Sequence, residues 1–124
     1  MTTVLVAEDD DGVRLLLRTA LERKGYEVLV AADGRAALDL LDRDDLVVDA
    51  VVSDVNMPGA GGLDVLERAR ARHPGIALVL ASGTDRWELP PEQVASDVTL
   101  LEKPYRLDRL IEAIETALGP GRGR

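Results

Sequence analysis

The apolar residues of this chain fall into five short runs, separated by longer stretches in which they recur every three or four positions. The runs are Val4-Leu5-Val6-Ala7, Val28-Leu29-Val30-Ala31, Ala50-Val51-Val52, Ala77-Leu78-Val79-Leu80-Ala81 and Val98-Thr99-Leu100-Leu101. Unbroken apolar runs of this length, rich in β-branched residues, predict strands buried on both faces. We place them at about 3–7, 27–31, 50–53, 77–81 and 99–101. Between the first two, Val13, Leu16, Leu17, Ala20 and Leu21 follow the helical i, i+3, i+4 rhythm and predict one buried face, with Gly25 as the stop. Asp33 caps a second predicted helix over about 34–41. Leu63, Leu66 and Ala69 mark a third, ended by His73-Pro74-Gly75. Leu107, Leu110, Ile111, Ile114 and Leu118 mark the last, before Gly119-Pro120.

One stretch breaks the rhythm. Pro90-Pro91 interrupts the region 84–97 and leaves room for a helix of only a turn or two near 92–95. The predicted fold is therefore α/β: a flavodoxin-like, doubly wound, five-stranded parallel sheet with a shortened or irregular fourth helix. Right-handed crossovers leave few topologies, and the order 2-1-3-4-5 is the expected one. Residues 1–118 form the expected domain, and 119–124 a flexible tail or the start of a linker.

The strand ends carry the chemistry. The first strand ends in Glu8-Asp9, the third in Asp54, the fourth in Ser82-Gly83 and the fifth in Glu102-Lys103-Pro104. Pro58-Gly59 prevents the third strand from continuing past Asp54-Val55-Asn56-Met57. In an open parallel sheet the carboxyl ends of the strands border one crevice, where ligands bind. With order 2-1-3-4-5, Glu8-Asp9 and Asp54 face each other across the switch point.

Composition then narrows the options. The 124 residues are 46% hydrophobic and 31% charged, enough for one domain with a core of its own. Phe is absent and the aromatics are one Trp and two Tyr, so Val, Leu, Ile and Ala must build that core. A formal charge of -8 argues against direct binding to nucleic acid or to an anionic membrane surface. The absence of Cys removes thiol chemistry. No stretch is apolar enough for a membrane span, and a cytoplasmic location is the expectation.

Three carboxylates in one crevice repel: at ~5 Å and an effective dielectric near ~20, each pair costs on the order of 3 kcal/mol. A proton or a cation must compensate. A hard divalent cation with oxygen ligands fits best, and one His with no Cys disfavours softer metals. Mg²⁺ is the leading candidate. With it, Asp54 becomes a candidate nucleophile toward a phosphoryl group. Lys103 offers a fixed positive charge, Ser82 a hydroxyl donor, and Asn56 and Thr84 positions that govern water access and hence phosphoryl lifetime. Asp10 and Asp11 are read as negative charge favoured at a helix N-terminus, and His73 as a solvated residue at a helix C-terminus.

These motifs, in this order and at these spacings, resemble the receiver domain of two-component response regulators over residues 4–118. The resemblance implies that Asp54 is the phosphoacceptor and that Asp9, Asp54 and the Asn56 backbone carbonyl bind Mg²⁺, with Glu8 assisting through water. It implies that Ser82 and Lys103 bind the phosphoryl group and that the peptide before Pro104 is cis. It further implies a phosphoacceptor domain rather than an enzyme, one that promotes its own phosphorylation and slow autodephosphorylation. The implied donor is a histidine kinase or phosphotransfer protein, with a downstream protein as the possible target. The chain departs from the family at Leu100, where the switch residue is usually Tyr or Phe, and at Pro90-Pro91. These departures keep open a receiver-like protein-interaction module with weak or no phosphorylation. A nucleotide or flavin binder on this fold would want a Gly- or Ser/Thr-rich anion cradle after the first strand, where this chain has Glu8-Asp9-Asp10-Asp11.

Overall fold

A computed structural model describes residues 1–55, 57, 60–83 and 97–119 of the chain. Among them β1 (Thr3–Ala7), α1 (Asp11–Arg23), β2 (Glu27–Ala31), α2 (Gly34–Leu41) and β3 (Ala50–Asp54) form the first half. The second half comprises α3 (Gly62–Arg72), β4 (Ala77–Ser82), β5 (Val98–Glu102) and α4 (Leu107–Leu118). All neighbouring strands pair in parallel, in the order β2-β1-β3-β4-β5. The flavodoxin-like topology expected from the apolar pattern is the one observed. The shortened fourth helix was expected within a region that lies outside the described residues.

Successive strand residues point to opposite faces, and this divides the core in two. Leu5, Val51, Leu78 and Leu80 pack with Leu38 and Leu41 of α2 and Val65, Leu66 and Ala69 of α3. Val4, Val6, Val52 and Val79 pack with Leu17 and Leu21 of α1 and Leu110, Ile114 and Leu118 of α4. The caps are those the sequence offers. Asp10 Oδ1 accepts the Val13 N–H at 2.9 Å, and Asp33 Oδ1 accepts the Ala36 N–H at 2.8 Å. Among the described residues no helix is long and apolar enough to cross a membrane.

Three expectations need correction. Leu16 shares the apolar rhythm of α1 but is 53% exposed, because the helix meets the sheet through Leu17 and Leu21 and turns Leu16 toward a surface groove. The second and fifth strands are not buried on both faces: β2 and β5 are the edge strands, and Leu100 is 49% exposed. His73 is not simply solvated, since it caps α3 and its Nε2 donates to the Leu41 carbonyl at 2.9 Å, tying α3 to the end of α2.

Candidate functional site

Register brings the strand ends together one step at a time. Ala7 pairs with Ser53, so Glu8 emerges beside Asp54. Asp54 pairs with Ala81, which leaves Ser82 one residue further out. Ser82 pairs with Glu102, and the Lys103 N–H donates to the Ser82 carbonyl at 2.7 Å. Glu8, Asp54, Ser82 and Lys103 thus line one edge of the sheet although they come from four different strand ends.

The side chains converge as the backbone does. Lys103 Nζ lies 2.6 Å from Asp54 Oδ1 and 3.9 Å from Glu8 Oε1. Glu8, Asp9 and Asp54 each present an oxygen within 4.8 Å of the others. Glu8 and Asp54 are buried, whereas Asp9 is exposed. Ser82 is buried at the end of β4. The expected cis peptide between Lys103 and Pro104 is present. Leu100 lies on β5 and is exposed. Asn56 and Thr84, expected to lend a carbonyl ligand and to govern phosphoryl lifetime, lie outside the described residues.

Buried like charges distort the proton affinities. Burial, and then the hydrogen bond and charge of Asp54, push the Glu8 carboxyl up to about 7, against the pull of the Asp10 N–H on Glu8 Oε2 at 3.0 Å. At Lys103 burial alone would lower the ammonium pKa. The hydrogen bond to Asp54 and the charges of Asp54, Glu8 and Asp9 outweigh it and raise the group above its usual value. Burial, followed by the charges of Asp54 and Glu8, raises the Tyr105 hydroxyl to about 12, so it stays protonated.

One lysine does not balance three carboxylates. The cluster offers only carboxylate oxygens, the donor set preferred by Mg²⁺ and Ca²⁺, and it therefore suits a hard cation. A groove of about 800 Å³ lies between α1 and the β5–α4 connection, lined by Leu16, Leu17, Tyr105 and Leu107 and by Glu8, Asp9 and Lys103 of the cluster.

Sequence reasoning passed over Arg14. Its Nη1 donates to the Glu8 carbonyl at 3.0 Å and its Nη2 pairs with Asp11, so it holds the turn that carries Glu8-Asp9. The available signal was an arginine one turn into α1, placed to reach back over the helix start. It passed over Tyr105 as well, which a strand-end reading treats only as part of a motif.

A family model described as the response regulator receiver domain matches residues 4–115. The sensor kinase CckA of Brucella abortus is 37% identical over 120 residues, which cover 94% of this chain and 12% of that protein. The transcriptional regulatory protein FixJ of Bradyrhizobium diazoefficiens is 35% identical over 122 residues, or 95% of this chain and 58% of that protein. Both relatives extend well beyond the matched part. The crystal structure of a response regulator receiver protein from Sinorhizobium medicae matches at a TM-score of 0.86 with 28% identity, over 94% of each chain.

Proposed function

The chain belongs to the response regulator receiver family of two-component signalling, and from that footing we propose that it is a phosphorylation-dependent switch with Asp54 as its phosphoacceptor. Receiver domains accept phosphoryl groups as signals and are not enzymes that turn over a small substrate. The observation that carries the finer reading is a buried Asp54 carboxylate, 2.6 Å from Lys103, beside two further carboxylates close enough to share a cation. The proposed switch unit is residues 1–118, working in the cytoplasm.

In the proposed step an Asp54 carboxylate oxygen attacks phosphorus, the new O–P bond forms, and the bond to the donor breaks with its electron pair leaving on the donor atom. From a phosphohistidine the leaving atom is an imidazole nitrogen, and a ring protonated on its other nitrogen departs neutral. Lys103 exchanges its carboxylate partner for a phosphoryl oxygen, and the Ser82 hydroxyl donates to another. Glu8, Asp9 and Asp54 would hold Mg²⁺, with the Asn56 carbonyl as a further ligand. When bound, Mg²⁺ neutralises charge on the phosphoryl oxygens in transfer. Asn56 and Thr84 are assigned to phosphoryl lifetime, and autodephosphorylation is taken to be slow.

The proposed donor is a histidine kinase or phosphotransfer protein, and the receiver of the signal a downstream protein. The apolar groove next to Lys103, with Leu15 at 64% and Leu16 at 53% exposure on its helix, supports docking of a protein rather than of DNA or RNA. The test is labelling by acetyl phosphate: wild type should gain a phosphoryl group and Asp54→Asn should not. Equal labelling of both would overturn the assignment.

A second reading, a receiver-like interaction module with weak or no phosphorylation, is favoured by Leu100, whose exposed aliphatic side chain stands where the family usually carries an aromatic switch. Equal affinity for a partner with and without beryllofluoride, a phosphoryl mimic, would support it.

A further inference from the structure

The contact that distinguishes this site from a generic strand end lies behind it, where α2 meets the connection from β3 to α3. Gly34, the first residue of α2, is buried with its Cα against the backbone of Ala60. A Cβ built on Gly34 would sit 2.6 Å from the Ala60 carbonyl carbon and 3.0 Å from its Cα, and closer still to its oxygen. These are backbone atoms, which have no rotamer to escape into. At the end of the same connection Gly62 presses on Asp54 itself: a Cβ there would lie 2.9 Å from the Asp54 carbonyl carbon. The Gly62 N–H also donates to the Val55 carbonyl at 2.8 Å, tying the start of α3 to the residue after β3.

The far side of this contact is firm. Asp33 caps α2 through both its side chain and its carbonyl, which accept from Ala36 N–H at 2.8 Å and Ala37 N–H at 3.2 Å. Ala37, Leu38 and Leu41 of the same helix are buried in the core. A side chain on Gly34 would therefore push Ala60, and through Gly62 the end of β3, rather than move the helix.

We infer that Gly34 is a positioning residue for Asp54: the bare Cα at the start of α2 is the stop against which the β3–α3 connection rests, and that contact sets where Asp54 is held. Gly34 touches neither the carboxylate cluster nor the groove, so it acts only through the backbone. The inference rests on the reading of Asp54 as a Mg²⁺-dependent phosphoacceptor. Transfer by positioning tolerates little error, a misplacement of about 1 Å costing on the order of 100-fold in rate.

The test compares wild type, Gly34→Ala and Ala37→Gly. The last weakens the same helix without reaching Ala60, and so reports what mere destabilisation does. Each is followed for melting temperature and for the rate of phosphoryl uptake from acetyl phosphate as Mg²⁺ is titrated. Gly34→Ala should be slowed roughly 10- to 100-fold, or need correspondingly more Mg²⁺. Ala37→Gly should melt lower yet keep the wild-type Mg²⁺ curve. A folded Gly34→Ala with the wild-type rate and curve overturns the inference. Where Gly34→Ala does not fold, Mg²⁺ titration of nitrogen-15-labelled wild type decides: the Gly34 and Ala60 amide resonances should move along the same saturation curve as Gly62. Unmoved Gly34 and Ala60 resonances overturn it. Wild type that takes no adduct refutes the Asp54 reading itself, a result distinct from a change confined to Gly34→Ala.

Discussion

Lys103 and Asp54 form a 2.6 Å ion pair although the whole of β4 stands between the strands that carry them. The lysine reaches across because β4 ends at Ser82, whose carbonyl takes the Lys103 N–H. This ammonium is the one charge among the described residues that compensates Asp54, and it pairs with an oxygen that a cation would also want.

Lys103→Met should therefore separate two properties. Phosphoryl uptake should fall by roughly 10- to 100-fold, since the charge proposed to stabilise the moving phosphoryl group is gone. Mg²⁺ should bind roughly tenfold more tightly, because a repelling positive charge has been removed from the site. Calorimetric titration beside a labelling time course checks both, and weaker Mg²⁺ binding would contradict the competition.

Glu8 makes stability depend on pH and metal together. Its folded pKa of about 7 lies above the ordinary 4.5, so the folded protein holds this proton more tightly than the unfolded chain does. Its contribution to stability is present in full below about 4.5 and is lost as pH rises through 7. Metal binding needs the ionised carboxylate, so stabilisation by Mg²⁺ should be larger at pH 8 than at pH 6. Melting curves at both pH values with Mg²⁺ or EDTA test this, and equal Mg²⁺ shifts at both would count against it.

Gly62→Ala should destabilise the fold by about 1–3 kcal/mol in urea unfolding, because the new methyl meets the backbone of the buried Asp54 and the Leu80 side chain. Unchanged stability would mean that the end of β3 is free to shift.

Leu16 and Leu17 are neighbours with opposite fates. Leu17→Ala should cost about 2–5 kcal/mol as a core truncation, while Leu16→Ser should stay within about 0.5 kcal/mol of wild type. Leu16→Ser should nonetheless slow phosphotransfer from a histidine kinase more than uptake from acetyl phosphate, since only the protein donor would use the groove. Equal effects on the two donors would remove the groove from the docking surface.

What the sequence made legible follows from period and punctuation. Two-faced apolar runs such as 77–81 specified parallel strands, and breaks such as Gly25 and His73-Pro74-Gly75 set their spacing. The convergence of Glu8, Asp54, Ser82 and Lys103 was legible because all four follow strand ends in a fold with one possible crevice. Leu16 was misread because helical period alone does not say how wide the buried stripe is, and α1 packs through a narrow one. Leu100 was misread because its apolar run was taken as buried on both faces, although the expected order 2-1-3-4-5 already puts the fifth strand at an edge. Gly34 was invisible for another reason: its contact is with a backbone atom, and backbone has no sequence signal of its own.

The most direct measurement is the intact mass of wild type after incubation with acetyl phosphate, once with Mg²⁺ and once after its removal with EDTA. Asp54 working in a carboxylate cluster that needs a cation predicts one phosphoryl adduct with Mg²⁺ and little or none without it. An adduct formed equally well in EDTA, or none in a folded protein that binds Mg²⁺, would contradict it.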